Sequence, residues 1–244
     1  QVLTIEEASR KLRSPMLSFS NTDMAFKDNL LVAGSYHGFN IYELQDNGIP
    51  NLITSVVCPG GQGDVSVVGN ILIMSVEETR GRVDCGLDGV GPDASPERFR
   101  GIRIFDISNI KKPKQVGAVQ TCRGSHTHSV VAGPTADNKI IVYNSGTGRV
   151  REEDELDGCI GNIAGDTRTA YFSIDVIEIP INDPASSRIV SSPRVFADND
   201  KGIIAGLWRG GDHGDGTQDT RPTNQCHDIT CLLYTSDAAD DCWS

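Results

Sequence analysis

Asp64-Val-Ser-Val-Val68, Ile71-Leu-Ile-Met-Ser-Val76, Gly101-Ile-Arg-Ile-Phe-Asp-Ile107 and Lys114-Gln-Val-Gly-Ala-Val-Gln-Thr121 are four short runs rich in β-branched residues. Gly69-Asn70 joins the first two and Ser108 to Pro113 joins the last two, so the runs read as strands of an up-and-down sheet with tight connections. The unit repeats. A shift of 63 residues places Gly38 to Leu44 (GFNIYEL) on Gly101 to Ile107 (GIRIFDI), Pro50 on Pro113 and Val56 on Val119. In the other direction Ser173 to Ile179 (SIDVIEI) matches the same strand, with Pro184 one residue closer than Pro113. A four-stranded unit that cannot bury both faces alone, and that recurs, is a β-propeller blade.

The predicted fold is therefore all-β: a β-propeller of four-stranded antiparallel blades, about three blades plus the start of a fourth. The first repeat has runs at Asp23 to Phe26, Asn29 to Gly34, Gly38 to Leu44 and Asn51 to Val57. The third has Ser129 to Ala132, Lys139 to Tyr143, Phe172 to Ile179 and Ile189 to Phe196. Blades are expected at about 21–57, 62–121 and 126–196, with a further one beginning at 224–230. Residues 1–20 form an N-terminal segment whose Thr4 to Leu12 stretch opens like a short capped helix. Cys231 to Asp240 (CLLYTSDAAD) looks like a translated sequencing adaptor, so residues 231–244 are expected to be a non-native tail. The chain opens on Gln1 without Met, and no signal peptide is read in it.

The 244 residues carry a formal charge of -11, and leaving out Asp237, Asp240 and Asp241 still makes it -8. With no Lys/Arg cluster, the chain lacks the basic face that a nucleic-acid partner requires. No apolar run approaches the roughly 18 residues of a membrane-spanning helix.

Topology assigns a face to the remaining signals. In an up-and-down blade the entrance to the first strand and the joint between the second and third strands share one side. That joint is short in the first repeat, Ser35 to His37, but carries insertions at about Glu77 to Arg100 and Ser145 to Ala170 in the next two. Aligning the entrances superposes Asp23, Asp64, His128 and Asp228, which should ring the mouth of a central channel. His126 and His128 are expected to diverge so that one joins the ring, and the alignment favours His128. His227 joins if the irregular backbone at its strand entrance turns it inward. His37 and His213 read as solvent-exposed loop residues. Asp at a blade entrance also has an ordinary use, accepting backbone N–H groups in a turn.

All five cysteines before the tail fall on this looped face: Cys58, Cys122 and Cys226 precede first strands, and Cys85 and Cys159 lie in the insertions. Loop cysteines without a CxxC pair read as disulfides of an oxidising compartment rather than as a zinc site, with the pairing left open.

The stretches VVCPGGQGDVSV (56–67), RFRGIRIFDIS (98–108), VQTCRGSHTHSVV (119–131), SSPRVFAD (191–198) and QCHDIT (225–230) resemble the bacterial LVIVD-repeat proteins over most of residues 1–230. That resemblance implies an extracytoplasmic, secreted or surface-exposed propeller with more blades than these, one of them bearing another histidine near its first strand. It implies no established reaction.

Two functions fit. One is a binding or scaffold module that presents the looped face, with Asp23, Asp64, His126, His128, His227 and Asp228, to a protein, glycan or small molecule. The other is a metal-dependent hydrolase or oxidoreductase whose divalent ion sits at the channel mouth on His128, His227, Asp64 and Asp228. Asp198 to Gly202 imitates part of a calcium loop but has its glycine early and no closing Glu. Gly210 to Gly216 reads as a flexible loop, and neither GxSxG nor GxxxxGK occurs. Arg98, Arg100 and Arg103 read as a solvated or ion-paired strand edge. Blade faces left without a neighbour predict poor solubility for residues 1–230 alone.

Overall fold

The computed structural model describes residues 20–161, 167–204, 225–232 and 241–243. The expected N-terminal helix and His213 lie outside the described residues. Three four-stranded antiparallel sheets follow one another, each in simple up-and-down order. Blade 1 is β1 (Asn21–Lys27), β2 (Leu30–Ser35), β3 (Gly38–Leu44) and β4 (Pro50–Val57). Blade 2 is β5 (Gln62–Val68), β6 (Ile71–Val76), β7 (Gly101–Asp106) and β8 (Lys114–Gln120). Blade 3 is β9 (Thr127–Ala132), β10 (Lys139–Ser145), β11 (Asp175–Pro180) and β12 (Arg188–Ser191). The fold is that of β-propeller blades.

The backbone register carries the repeat more sharply than the side chains do. The β3–β4 ladder slips between Ile41 and Tyr42, the β7–β8 ladder between Ile104 and Phe105, and the β11–β12 ladder between Val176 and Ile177. These are the positions that the sequence repeat superposes, so each blade has the same bulge opposite its third strand, with Ile53, Val116 and Val190 as the extra residues of the fourth strands. Gly38 and Gly101, which open β3 and β7, have φ of +138° and +143°. A Cβ at either site would stand 2.0 Å from a carbonyl oxygen, that of Val56 or of Val119. Only glycine fits where third and fourth strands meet that closely.

Strand parity builds the core. In β6, Leu72 and Met74 point to blade 1, packing with Val32, Phe39, Ile41 and Val65, while Ile71 and Ile73 point to blade 3, packing with Ile140, Val142, Ile177 and Ile179. Phe39 meets Phe105 edge to face across the first of these interfaces, with ring centroids 5.0 Å apart. Blade 2 is covered on both faces, so β6 is buried from end to end. That is why it reads as a continuous apolar run rather than an alternation. Among the described residues blade 1 has a neighbouring blade on one face only, and Met24 and Phe26 of β1 are exposed.

A smaller cluster of Ile174, Val131, Tyr143, Ile229 and Cys226 lies on blade 3. Residues 227–229 run beside β9, where Thr127 and Ser145 hydroxyls donate to the His227 carbonyl at 2.9 and 2.8 Å and Ser129 donates to the Ile229 carbonyl. Thr230–Leu232 then pairs with Asp241–Trp243 in a two-stranded ladder. No helix among the described residues is long and apolar enough to cross a membrane.

Candidate functional site

The entrance residues of blades 1 to 3 form one hydrogen-bonded series. Asp23 Oδ2 accepts the Val65 backbone N–H of β5 at 2.9 Å, and Asp64 Oδ2 accepts the His128 backbone N–H of β9 at 2.8 Å. The ordinary use of an entrance Asp is thus present, but it reaches across to the next blade rather than closing its own turn. Each carboxylate latches the innermost strand of the following blade. Asp64 Oδ2 also lies 2.9 Å from His128 Nδ1, which Ser75 Oγ meets at 2.8 Å, and Ser75 in turn lies 2.6 Å from Ser125 Oγ. The His128 side chain is fully buried, and among the described residues its Nε2 has no hydrogen-bond partner.

The two carboxyls titrate in opposite directions. Burial raises the pKa of Asp23 and the charge of Asp64 adds to the rise, partly offset by the Val65 N–H bond. Burial also opposes ionisation of Asp64, but the charge and hydrogen bonds of His128 together outweigh it and hold the carboxyl below its ordinary value. Asp64 and His128 thus form a dyad that fixes the imidazole through Nδ1 and leaves Nε2 with a free lone pair or proton.

His126 diverges from His128 even though residues i and i+2 of one strand share a face. It precedes β9, whose first residue is Thr127, and it enters a separate network. Its Nδ1 lies 2.7 Å from Glu77 Oε2 and its Nε2 3.0 Å from Gln62 Nε2, whose Oε1 accepts the Tyr36 hydroxyl at 3.1 Å. Glu77 Oε1 accepts the Thr147 N–H at 2.8 Å and its hydroxyl as well. Burial opposes the ionisation of Glu77, yet the bonds from His126 and Thr147 prevail and lower its pKa. Glu77 and Thr147 lie at the starts of the insertions of blades 2 and 3, so this network ties the two loops together.

The His227 ring packs against that of His126, tilted by 55° with centroids 4.2 Å apart, and lies 2.7 Å from Asp228, the His227 and Asp228 side chains being exposed. The expected ring is therefore split: Asp23, Asp64 and His128 form one series, while His126, His227 and Asp228 stand in another group. Among the described residues no group of three or more His, Cys, Asp or Glu side chains is placed to hold one ion. His37 is half-buried, with Nδ1 3.2 Å from Ser35 Oγ. Asp198 pairs with Lys201 at 2.8 Å.

Both insertions are heavily cross-linked. Cys58 is bonded to Cys85 and Cys122 to Cys159, so each insertion is stapled to the segment that enters its own blade. Cys226 is free and half-buried, and burial pushes its thiol pKa up. Arg98, Arg100 and Arg103, expected as a solvated or ion-paired edge, are all buried rather than solvated, and Arg98 is ion-paired. Arg98 and Arg151 share Glu155, the Arg151 Nε contact being 2.6 Å. Arg103 stacks over Phe99 with 4.1 Å from guanidinium carbon to centroid and donates to the Arg82 carbonyl. Arg100 donates to the Arg149 carbonyl at 3.0 Å, and burial, helped by the charge of Arg151, lowers its pKa to about 10. These arginines supply the hydrogen bonds that loop backbone lacks when no sheet partners it.

No family model matches the sequence, and no curated protein matches it. Among solved structures it is similar to a protein from Lactobacillus plantarum, at a TM-score of 0.35 and 12% identity over 73% of this chain and 57% of that one. The computationally designed Ika4 protein matches at 0.31 and 12% identity, over 70% of this chain and 92% of that one. Citrobacter koseri AztD matches at 0.25 and 13% identity, over 70% and 57%. The chain thus spans little more than half the length of the first of these, and the fold assignment rests on its own sheets.

Proposed function

We propose that the chain is an extracytoplasmic β-propeller module of the LVIVD-repeat kind that binds a partner through its looped face. The observation that carries this is the placement of the cross-links. Both disulfides, the arginine–glutamate network and the Glu77–Thr147 tie all hold the loops, whereas the blades are held by packing and by the entrance carboxylates, with no covalent link between them among the described residues. A stiffened loop surface on a rigid scaffold loses less entropy on binding, which is what a recognition surface gains from such cross-links. The disulfides also support an oxidising location.

The test is binding of the oxidised protein to glycan and peptide arrays, beside a Cys58→Ser, Cys85→Ser variant. A partner bound at least about tenfold more weakly by the variant, with its β-sheet circular dichroism intact, is the expected result. Equal binding by both proteins, or none on any array, counts against the looped face.

One observation favours a second reading, a metal-dependent enzyme: the buried, unengaged Nε2 of His128, oriented through Nδ1 by Asp64 as metal-bound imidazoles commonly are. Elemental analysis separates the two. Near-stoichiometric metal that is lost in His128→Ala, with the variant still folded, would favour the enzyme, and metal-free native protein would favour the binding module.

A further inference from the structure

Blades 2 and 3 meet through an apolar interface that ends, toward the looped face, in a polar seam. Strand parity fixes which side chains enter it. Ile140 and Val142 of β10 and Ile177 and Ile179 of β11 point to blade 2, so Asn144 and Asp175, which continue the same rows, point there too. Asn144 lies directly opposite His128 on one side and Asp175 on the other. From blade 2, Ser75 continues the row of Ile71 and Ile73 and meets His128. Ser75, Asn144 and the His128 side chain are all 0% exposed.

Two buried polar atoms of this seam, Asn144 Oδ1 and His128 Nε2, have no partner among the described residues. Turning the Asn144 amide over does not help. Its Nδ2 donates to the Gly124 carbonyl at 3.2 Å and to Asp175 Oδ2 at 3.5 Å, two acceptors that an amide oxygen would repel. The His128 ring is fixed as well, because Asp64 and Ser75 hold its Nδ1 at 2.9 and 2.8 Å. Cross-strand partners on one sheet face have Cβ atoms about 4.5–5.5 Å apart, so one small group can reach both side chains. An unmatched polar atom is costly to bury, and here two lie side by side.

The two atoms set narrow terms for an occupant. Asn144 Oδ1 takes only a donor, whereas Nε2 takes a donor or an acceptor according to its protonation. Water donates to the first and does either for the second. It also brings no charge into an interface whose carboxylates already have partners, Asp64 in His128 and Asp175 in Ser192. A cation would engage both lone pairs but would have to leave water for this buried seam.

We infer that the seam between blades 2 and 3 is the binding site of one internal water molecule, which bridges Asn144 Oδ1 and His128 Nε2 and joins the Asp64 latch to the middle of blade 3. The site does not depend on what the looped face binds. It gives His128 Nε2 a structural use in place of the ligand role on which the metal reading stands.

A high-resolution crystal structure of the oxidised full chain tests the site, together with deuteron magnetic relaxation dispersion, which counts internal waters of long residence. The expected crystallographic result is one density peak at hydrogen-bond distance, about 2.7–3.2 Å, from both atoms. In solution Asn144→Leu, a swap of similar size that removes the acceptor, should lose one long-lived water relative to native protein. A peak at a metal-ligand distance of about 2.0–2.2 Å from Nε2, matched by stoichiometric metal in elemental analysis, overturns the water and favours the metal reading. No peak shared by the two atoms, or an unchanged count in folded Asn144→Leu, overturns it as well. Should Asn144→Leu fail to fold, the native crystal decides alone, since the peak and its distances need no variant.

Discussion

Blades 1 and 2 share a backbone down to the glycine that opens the third strand and the bulge that follows it, yet differ at one joint. In blade 1, Tyr36 and His37 alone connect β2 to β3; in blade 2, residues 77–100 connect β6 to β7. The short joint shows that a blade needs no loop to form. The long one has its own covalent and ionic framework, Cys58–Cys85, Arg98 with Glu155, and Arg103 on Phe99, and Arg98 reaches into blade 3 to find its partner. Blade and loop are therefore separately stabilised, and the loop is where the chain differs from repeat to repeat.

The largest effect that could break this division is loss of the staples. The disulfides close sequence separations of 27 and 37 residues, and loops of that size correspond to about 3–4 kcal/mol each when the cross-link constrains the unfolded chain. Replacing Cys122 and Cys159 by Ser is expected to lower unfolding free energy by about that amount in denaturant titrations. Hydrogen exchange should meanwhile quicken in residues 146–161 and stay unchanged in β1 to β3. Equal loss of protection in blade 1 would mean that the loops hold the blades as well.

The blades were legible because their signals are local and repeated: β-branched runs, turn residues and a spacing that recurs. β6, β7 and β8 fall within a residue of the runs Ile71 to Val76, Gly101 to Ile107 and Lys114 to Thr121. Asp64 and His128 were legible as neighbours because alignment of blade entrances is a statement about topology. Glu77, Gln62, Arg98 and Arg100 were not, because they find partners on other blades and no period links them, and Arg103 was not, because its partners lie in the non-repeating insertion and on the neighbouring strand of its own blade. Ser75 had a signal that could have been used, a single polar residue in an otherwise apolar buried strand, which must find a partner inside. Asp228 aligned in sequence but bonds its neighbour His227 in an exposed stretch, since alignment does not fix side-chain direction where the ladder is absent.

The second prediction contrasts the two entrance carboxylates. Asp64, in blade 2, has its folded pKa held below the ordinary 3.8, so its contribution to stability is present above that value and is lost as pH falls through the lower folded pKa. Asp23, in blade 1, has a raised pKa, so acid relieves a cost there instead. Acid titration of the unfolding free energy should show a loss from Asp64 as pH falls below ~4 toward its lower folded pKa. Asp64→Asn should flatten that descent, while Asp23→Asn should leave it at least as steep. Glu77, lowered from 4.5 by His126 and Thr147, acts with Asp64, so Asp64→Asn,Glu77→Gln should be flatter still. A steeper acid loss in Asp64→Asn than in native protein would remove the latch from the account.

The smallest effect concerns the outer face of blade 1. Met24 and Phe26 occupy the positions that Val65 and Val67 hold in blade 2, yet they are 58% and 62% exposed while Val65 is 4% exposed and packs between blades. The same sequence position therefore has two energetic values. Val65→Ser should lower stability by about 2 kcal/mol or more, through lost apolar burial and an unmatched hydroxyl. Met24→Ser and Phe26→Ser should stay within about 0.5 kcal/mol, because they remove surface that is already in water. Their effect should appear in sedimentation velocity instead, as a shift toward monomer, since an exposed apolar sheet face promotes association. A stability loss above about 1 kcal/mol in the blade 1 variants, scaling with protein concentration, would mean that a second chain covers this face in solution and that its burial depends on assembly.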